Sequence, residues 1–121
     1  MSQKSNNKPY DLEERTFQFA KEVRLFVKTL EKTIANTEDS KQLVRASGSI
    51  GANYIEANES LSKKDFVYRI KISRKESKES AYWLRLIKET NQLFNINVAE
   101  SLNQEAVELK KIFSAIIGKS E

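Results

Sequence analysis

The sequence predicts an all-α fold, an antiparallel up-down-up-down four-helix bundle, and three observations carry that prediction. The 121 residues include only one proline and three glycines beside 31% charged residues, which suits long helices and leaves little for the turns of a β-sandwich. Four segments repeat apolar residues at three- and four-residue steps, the period of a helix with one buried stripe. The polar stretches between them are short, so consecutive helices must run antiparallel. The length allows one core, giving a single bundle domain over residues 10–121. Residues 1–9 read as a disordered arm, because SQKSNNK has nothing to bury.

Asp11 followed by Glu14 resembles a capping box and opens the first helix. Leu12, Phe19, Val23, Phe26, Leu30 and Ile34 make its stripe, implying about 25 helical residues at this spacing. NTEDS, residues 36–40, reads as the connection to a second helix that runs to about Ser60, with Leu43, Ala46, Ile50, Ala57 and Leu61 on one side. In LSKKD, Ser62 is the cap and Asp65 its third-position partner, so a long third helix spans residues 63–94. NIN breaks the chain again, and Asn97 with Glu100 opens a fourth helix. Its stripe is Val98, Leu102, Leu109, Ile112, Phe113 and Ile116, with Gly118 in the place of a C-terminal cap.

What is missing narrows the chemistry. Without cysteine there is no disulfide framework and no thiolate metal site. Without histidine, Ser-His-Asp hydrolysis, HExxH zinc chemistry and Glu-x-x-His di-iron sites are excluded. The expectation is a protein that is no enzyme and takes no cofactor and no metal. The polar start MSQKSNNKPY has no apolar core of a signal peptide, and no apolar run reaches the roughly 20 residues of a membrane span. A cytoplasmic location and no membrane partner are expected.

Two glycines sit in RASGSIGANYIEANES, residues 45–60, inside the second helix. GSIG satisfies neither a Walker loop nor a dinucleotide fingerprint, and no strand precedes it. At 100° per residue, Gly48, Gly51, Ala52 and Ile55 cluster away from the core stripe, and no charge falls between Ala46 and Tyr54. A helix apolar on two sides is buried on two sides. The side of small residues therefore reads as an oligomer interface where another subunit's backbone comes close, against the alternative of a helix lying unusually deep in the monomer.

A third line of that helix is polar: Arg45, Ser49, Asn53 and Glu56. The third helix projects Arg69, Glu76 and Glu79 toward its apolar side. Buried charges persist when paired, so these residues read as a structural polar network in which Arg45 faces an acid of the third helix. A carboxylate cluster for a divalent metal is the competing reading, and Arg45 within it argues against that.

The third helix also holds most of the charge imbalance. Residues 63–88 carry nine basic residues against three acids, while the whole chain is +4. All the basic residues except Arg69 fall on one side of the helical wheel, including Lys64, Lys71, Arg74, Lys75, Lys78, Arg85 and Lys88. This one-signed stripe, about 35 Å long at 1.5 Å per residue, reads as a footprint for a phosphate backbone, RNA or DNA. Tyr68 and Tyr82 flank it as candidate stacking residues. The alternative is a structural or adaptor oligomer whose charge serves solubility and docks a protein partner.

YDLEERTFQFAKEV, LVRASGSIGANYIEANES and KKDFVYRIKISRKESKESAYWLRLI resemble a bacterial four-helix bundle family. It is named for proteins encoded in intervening sequences of 23S rRNA genes and includes the accessory protein of diversity-generating retroelements. The resemblance covers about residues 10–90, with Ser49, Ile50, Asn53 and Glu56 as its most specific pattern and Arg45 one turn earlier. It implies an antiparallel bundle assembled as a ring-like homopentamer, nucleic-acid association, a reverse transcriptase as a possible partner, and no enzymatic activity. Many members carry a tryptophan near the start of the first helix, where this chain has Phe17.

Overall fold

The computed structural model of the protein describes residues 11–121, so the expected N-terminal arm lies outside the described residues. Four helices follow one another: α1 (Leu12–Val27), α2 (Ile34–Asn58), α3 (Lys63–Thr90) and α4 (Ile96–Ser120). Each packs on its neighbours in sequence, and α4 closes the ring against α1. The described residues thus form the expected all-α four-helix bundle. Its core is built from Phe19, Val23 and Phe26 of α1, Leu43 and Ile50 of α2, Ile70, Leu84 and Ile87 of α3, and Leu109 and Phe113 of α4.

The helix starts follow their caps. Asp11 accepts the Glu14 amide at 3.3 Å, and Ser62 accepts the Asp65 amide at 3.1 Å, each satisfying a first-turn donor. The other ends depart from the sequence expectation. α1 stops at Val27, where the Thr29 and Leu30 amides turn back to Phe26 and Val27. Thr33 then caps α2 by accepting the Asn36 amide at 3.1 Å. Leu30 is buried from within this turn, whereas Ile34 is almost fully exposed. The spacing Phe26–Leu30–Ile34 therefore imitates a continuous helix that does not exist, and NTEDS belongs to α2.

That shift brings a buried Asn36 opposite Asn91, which ends α3 four residues earlier than expected. Each side-chain amide donates to the other's oxygen, at 2.8 and 2.9 Å. Asn36 also donates to the Glu31 carbonyl in the α1–α2 turn, and Asn91 to the Ile87 carbonyl, which is freed at the end of α3. Phe94, expected on the core face, is almost fully exposed. The α4 cap position belongs to Asn95, not Asn97, and Gly118 lies within α4.

One face was not legible as core at all. Ser73, Ser77 and Ser80 of α3 are completely buried with Ser47 of α2. Ser73 Oγ donates to the Ile50 carbonyl at 2.8 Å and Ser77 Oγ to the Ser73 carbonyl at 2.9 Å. Ser80 Oγ has no partner among the described residues. These small side chains line the inner face of α3, the helix with the most extensive contacts to both of its neighbours.

Candidate nucleic-acid interface

The outer face of α3 follows a three- and four-residue rhythm like that of a core stripe, with opposite chemistry. Lys64, Tyr68, Lys71, Lys75, Lys78, Tyr82 and Arg85 are all exposed. At 100° per residue they occupy an arc of about 100° opposite the buried Ser73, Ser77, Ser80 and Leu84. Arg74 and Lys88 lie on the flank of that arc and are half-buried.

Three of these cations have carboxylate neighbours. Lys71 Nζ is 3.3 Å from Glu121, Lys75 Nζ 3.8 Å from Glu76, and Arg85 Nε 2.9 Å from Glu89. The last contact raises the Arg85 pKa and holds the Glu89 carboxyl below its usual range, first through the hydrogen bond and then through charge attraction. The pairs of Lys71 and Arg85 are open to water, where such pairs are weak, so a phosphate can replace them at little cost, whereas the Lys75 partner Glu76 is largely buried. Lys64, Arg74, Lys78 and Lys88 have no carboxylate within 4.0 Å among the described residues.

The polar line of α2 is divided differently from the expectation. Asn53 Nδ2 donates to the Ser49 carbonyl at 3.0 Å and to Ser49 Oγ at 2.9 Å, while Arg69 of α3 donates to Asn53 Oδ1 at 3.0 Å. The tie between the two helices is thus neutral amide to guanidinium. Arg45 is exposed and bonds Gln42 on its own helix, so the expected pairing with an α3 acid is not made. Its charge still reaches Glu76, whose side chain is only 13% exposed. Burial pushes the Glu76 carboxyl up and nearby Glu79 adds to this, while Lys75 and Arg45 pull it back. Glu56 and Glu79 are exposed.

The two glycines find their close approach inside the chain. A Cβ on Gly51 would lie 2.8 Å from Thr16 Oγ1 and 3.2 Å from Thr16 Cβ; one on Gly48 would lie 3.1 Å from Arg24 Nη2. Both therefore admit α1, which corrects the expectation that they face another subunit. Ala52 and Ile55, by contrast, remain exposed. Phe17 of α1 and Ile55 of α2 are both exposed apolar residues, on antiparallel helices joined by the Asn58–Glu13 bond at 3.2 Å. Phe17 is 59% exposed and Ile55 47%.

No three His, Cys, Asp or Glu side chains among the described residues gather as a metal site would require. No helix among them is long and apolar enough to cross a membrane. Fold and surface together define an antiparallel four-helix bundle with a basic outer ridge on its third helix. The family described as 23S rRNA-intervening sequence protein matches residues 8–115, and the chain belongs to that family. A solved structure of a protein of unknown function from the S23 ribosomal protein family of Bacteroides thetaiotaomicron VPI-5482 is similar. It shares 30% identity with a TM-score of 0.75, covering 87% of this chain and 96% of that one. No curated protein matches the chain.

Proposed function

We propose that the protein is a non-enzymatic, oligomeric bundle that binds RNA or DNA through the basic ridge of α3. The observation that carries this reading is the arc of Lys71, Lys75, Lys78 and Arg85, which holds no acid from Lys64 to Arg85, on a face where a merely solvated helix would mix charges. The family description, which refers to 23S rRNA intervening sequences, is consistent with it. Contacts of lysine and arginine with phosphates give affinity with little sequence preference and a steep salt dependence.

The test is fluorescence anisotropy with a long structured RNA and a long duplex DNA at two salt concentrations. The wild type is compared with a variant in which Lys71, Arg74, Lys78 and Arg85 are all glutamine. The wild type is expected to bind both, each neutralisation flattening the slope of log affinity against log salt by about one unit. Equal binding by both proteins, or none by either, refutes the reading and favours an adaptor that docks a protein partner, such as a reverse transcriptase.

Self-association completes the proposal. Exposed Phe17, Ala52 and Ile55 offer apolar surface for a second copy, and the family resemblance favours a pentamer. Repeated display of the ridge would raise the affinity of a weak site for any ligand long enough to reach several subunits. Light scattering of the wild type should show an oligomer that Ile55→Glu dissociates, and a monomeric wild type at micromolar concentration refutes this part.

A further inference from the structure

The ridge carries rings as well as charges, and the rings say more about the ligand than the charges do. The cations Lys64, Lys71, Lys78 and Arg85 recur at every seventh residue, a row about 31 Å long that drifts about 20° per repeat. Tyr68 and Tyr82 fall within the same arc, about 21 Å apart by the same rise. Both rings stand out into solvent, 60% and 58% exposed. They are also oriented. Tyr82 stands edge-on to Trp83, with centroids 5.1 Å apart and planes at 81°, and the Arg69 guanidinium lies 5.9 Å from the Tyr68 ring centre.

We infer that the ligand of this ridge is single-stranded nucleic acid, with the cations tracking its backbone and Tyr68 and Tyr82 each stacking on an unpaired base. The inference rests on the reading of α3 as a nucleic-acid interface and adds the strandedness of the ligand. A duplex keeps its base faces inside the stack, so two exposed rings within the footprint would have nothing to stack on. An A-form RNA duplex also has a major groove too narrow to read. The row offers no Asn, Gln, Ser or Thr between Lys64 and Arg85 on this arc with which to read base edges in a DNA groove. Cations interleaved with accessible aromatic faces are what sequence-tolerant binding of single strands requires.

Anisotropy titrations of the full chain at one salt concentration test this, using an unstructured oligouridylate and an RNA duplex of equal length. The single strand should bind more tightly than the duplex. Tyr68→Ala and Tyr82→Ala should each weaken its binding by about five-fold or more, the lower end of what one base–aromatic stack contributes. Tyr68→Phe and Tyr82→Phe keep the ring and should keep the affinity, and duplex affinity should not respond to either alanine variant. A duplex bound as tightly as the single strand, or alanine variants that bind the oligouridylate like the wild type, overturns the single-strand inference. In that case the quadruple glutamine variant shows whether the basic-ridge reading survives: it does if those substitutions abolish binding of both probes. Failure of the wild type to bind either probe overturns both.

Discussion

The three glycines all lie in helices, yet alanine should affect stability differently at each. Glycine inside a helix costs about 1 kcal/mol relative to alanine, so the substitution gains that much wherever the new methyl has room. At Gly118 nothing lies within 4 Å, and Gly118→Ala should stabilise by somewhat less than that figure, because the last turn frays. At Gly48 the obstacle is the tip of Arg24, 3.1 Å away on an exposed and flexible side chain whose bond to the Val44 carbonyl is long at 3.3 Å. The guanidinium can move aside, leaving Gly48→Ala neutral or slightly stabilising. At Gly51 the obstacle is fixed. Thr16 is buried, and its Oγ1, 2.8 Å from the new Cβ, is held by the Leu12 carbonyl at 2.7 Å. Restoring ordinary contact requires α1 and α2 to part by roughly half an ångström or Thr16 to give up that bond. Overpacking of this kind costs about 1–3 kcal/mol, which exceeds the helical gain. Gly51→Ala should therefore lose up to about 2 kcal/mol. Combining it with Thr16→Ala should recover part of the loss, with a coupling of about 0.5–3 kcal/mol. Urea unfolding followed by circular dichroism at one fixed protomer concentration measures all of these variants. A Gly51→Ala protein as stable as the wild type, with an unchanged m-value, would refute the close approach of α1 and α2.

Two further perturbations test the polar interior. Asn36→Ala removes one half of the reciprocal amide pair and leaves Asn91 Oδ1 without that donor, while the Glu31 carbonyl keeps only the Thr33 amide. It should cost about 1–3 kcal/mol in urea unfolding, and a loss within about 0.5 kcal/mol, as at an ordinary surface site, would show that water replaces the pair. Glu76→Gln should act in the stabilising direction. Because burial and Glu79 raise the Glu76 pKa in the folded state, its favourable contribution is complete below the ordinary carboxylate pKa and is lost as pH rises through the raised value. The variant should therefore melt above the wild type at pH 7, and the two melting curves should converge near pH 4. A lower melting temperature for Glu76→Gln at pH 7 would mean that attraction to Lys75 and Arg45 outweighs desolvation.

The sequence disclosed the bundle because its signals repeat over many residues, and it obscured features that depend on a single contact. Phe19, Val23, Ile50, Ile70, Leu109 and Phe113 are buried where a 3.6-residue period puts them. The end of α1 was hidden because periodicity reports burial and not backbone conformation: Leu30 buries itself from a turn and keeps the rhythm going. Asn36 and Asn91 were opaque for another reason. Asn36 alone reads as a connector residue and Asn91 as a position within the third helix, and only their meeting supplies the partner each needs. The glycines were read correctly as a place of close approach but assigned to the wrong neighbour, since a helical wheel shows which side is small without showing what lies against it. Arg45 failed similarly, because reach along its own helix to Gln42 competes with reach across to α3.

The inner serines and the outer ridge of α3 belong to one arrangement. Ser73, Ser77 and Ser80 are small enough to fill the inner face without bulk, and Ser73 bonds directly to the α2 backbone. From the other side, Asn103 of α4 donates to the Ala81 carbonyl at 2.9 Å. The helix is thus gripped by hydrogen bonds on two flanks. Long cationic side chains lose conformational freedom when they bind, and a helix fixed along its length lets them share one cost of positioning. A row of lysines on a fraying helix would have to order the backbone at the same time. The serine face, which adds little hydrophobic burial, makes physical sense as the means of holding α3 close to both neighbours while its opposite arc stays open to a charged ligand.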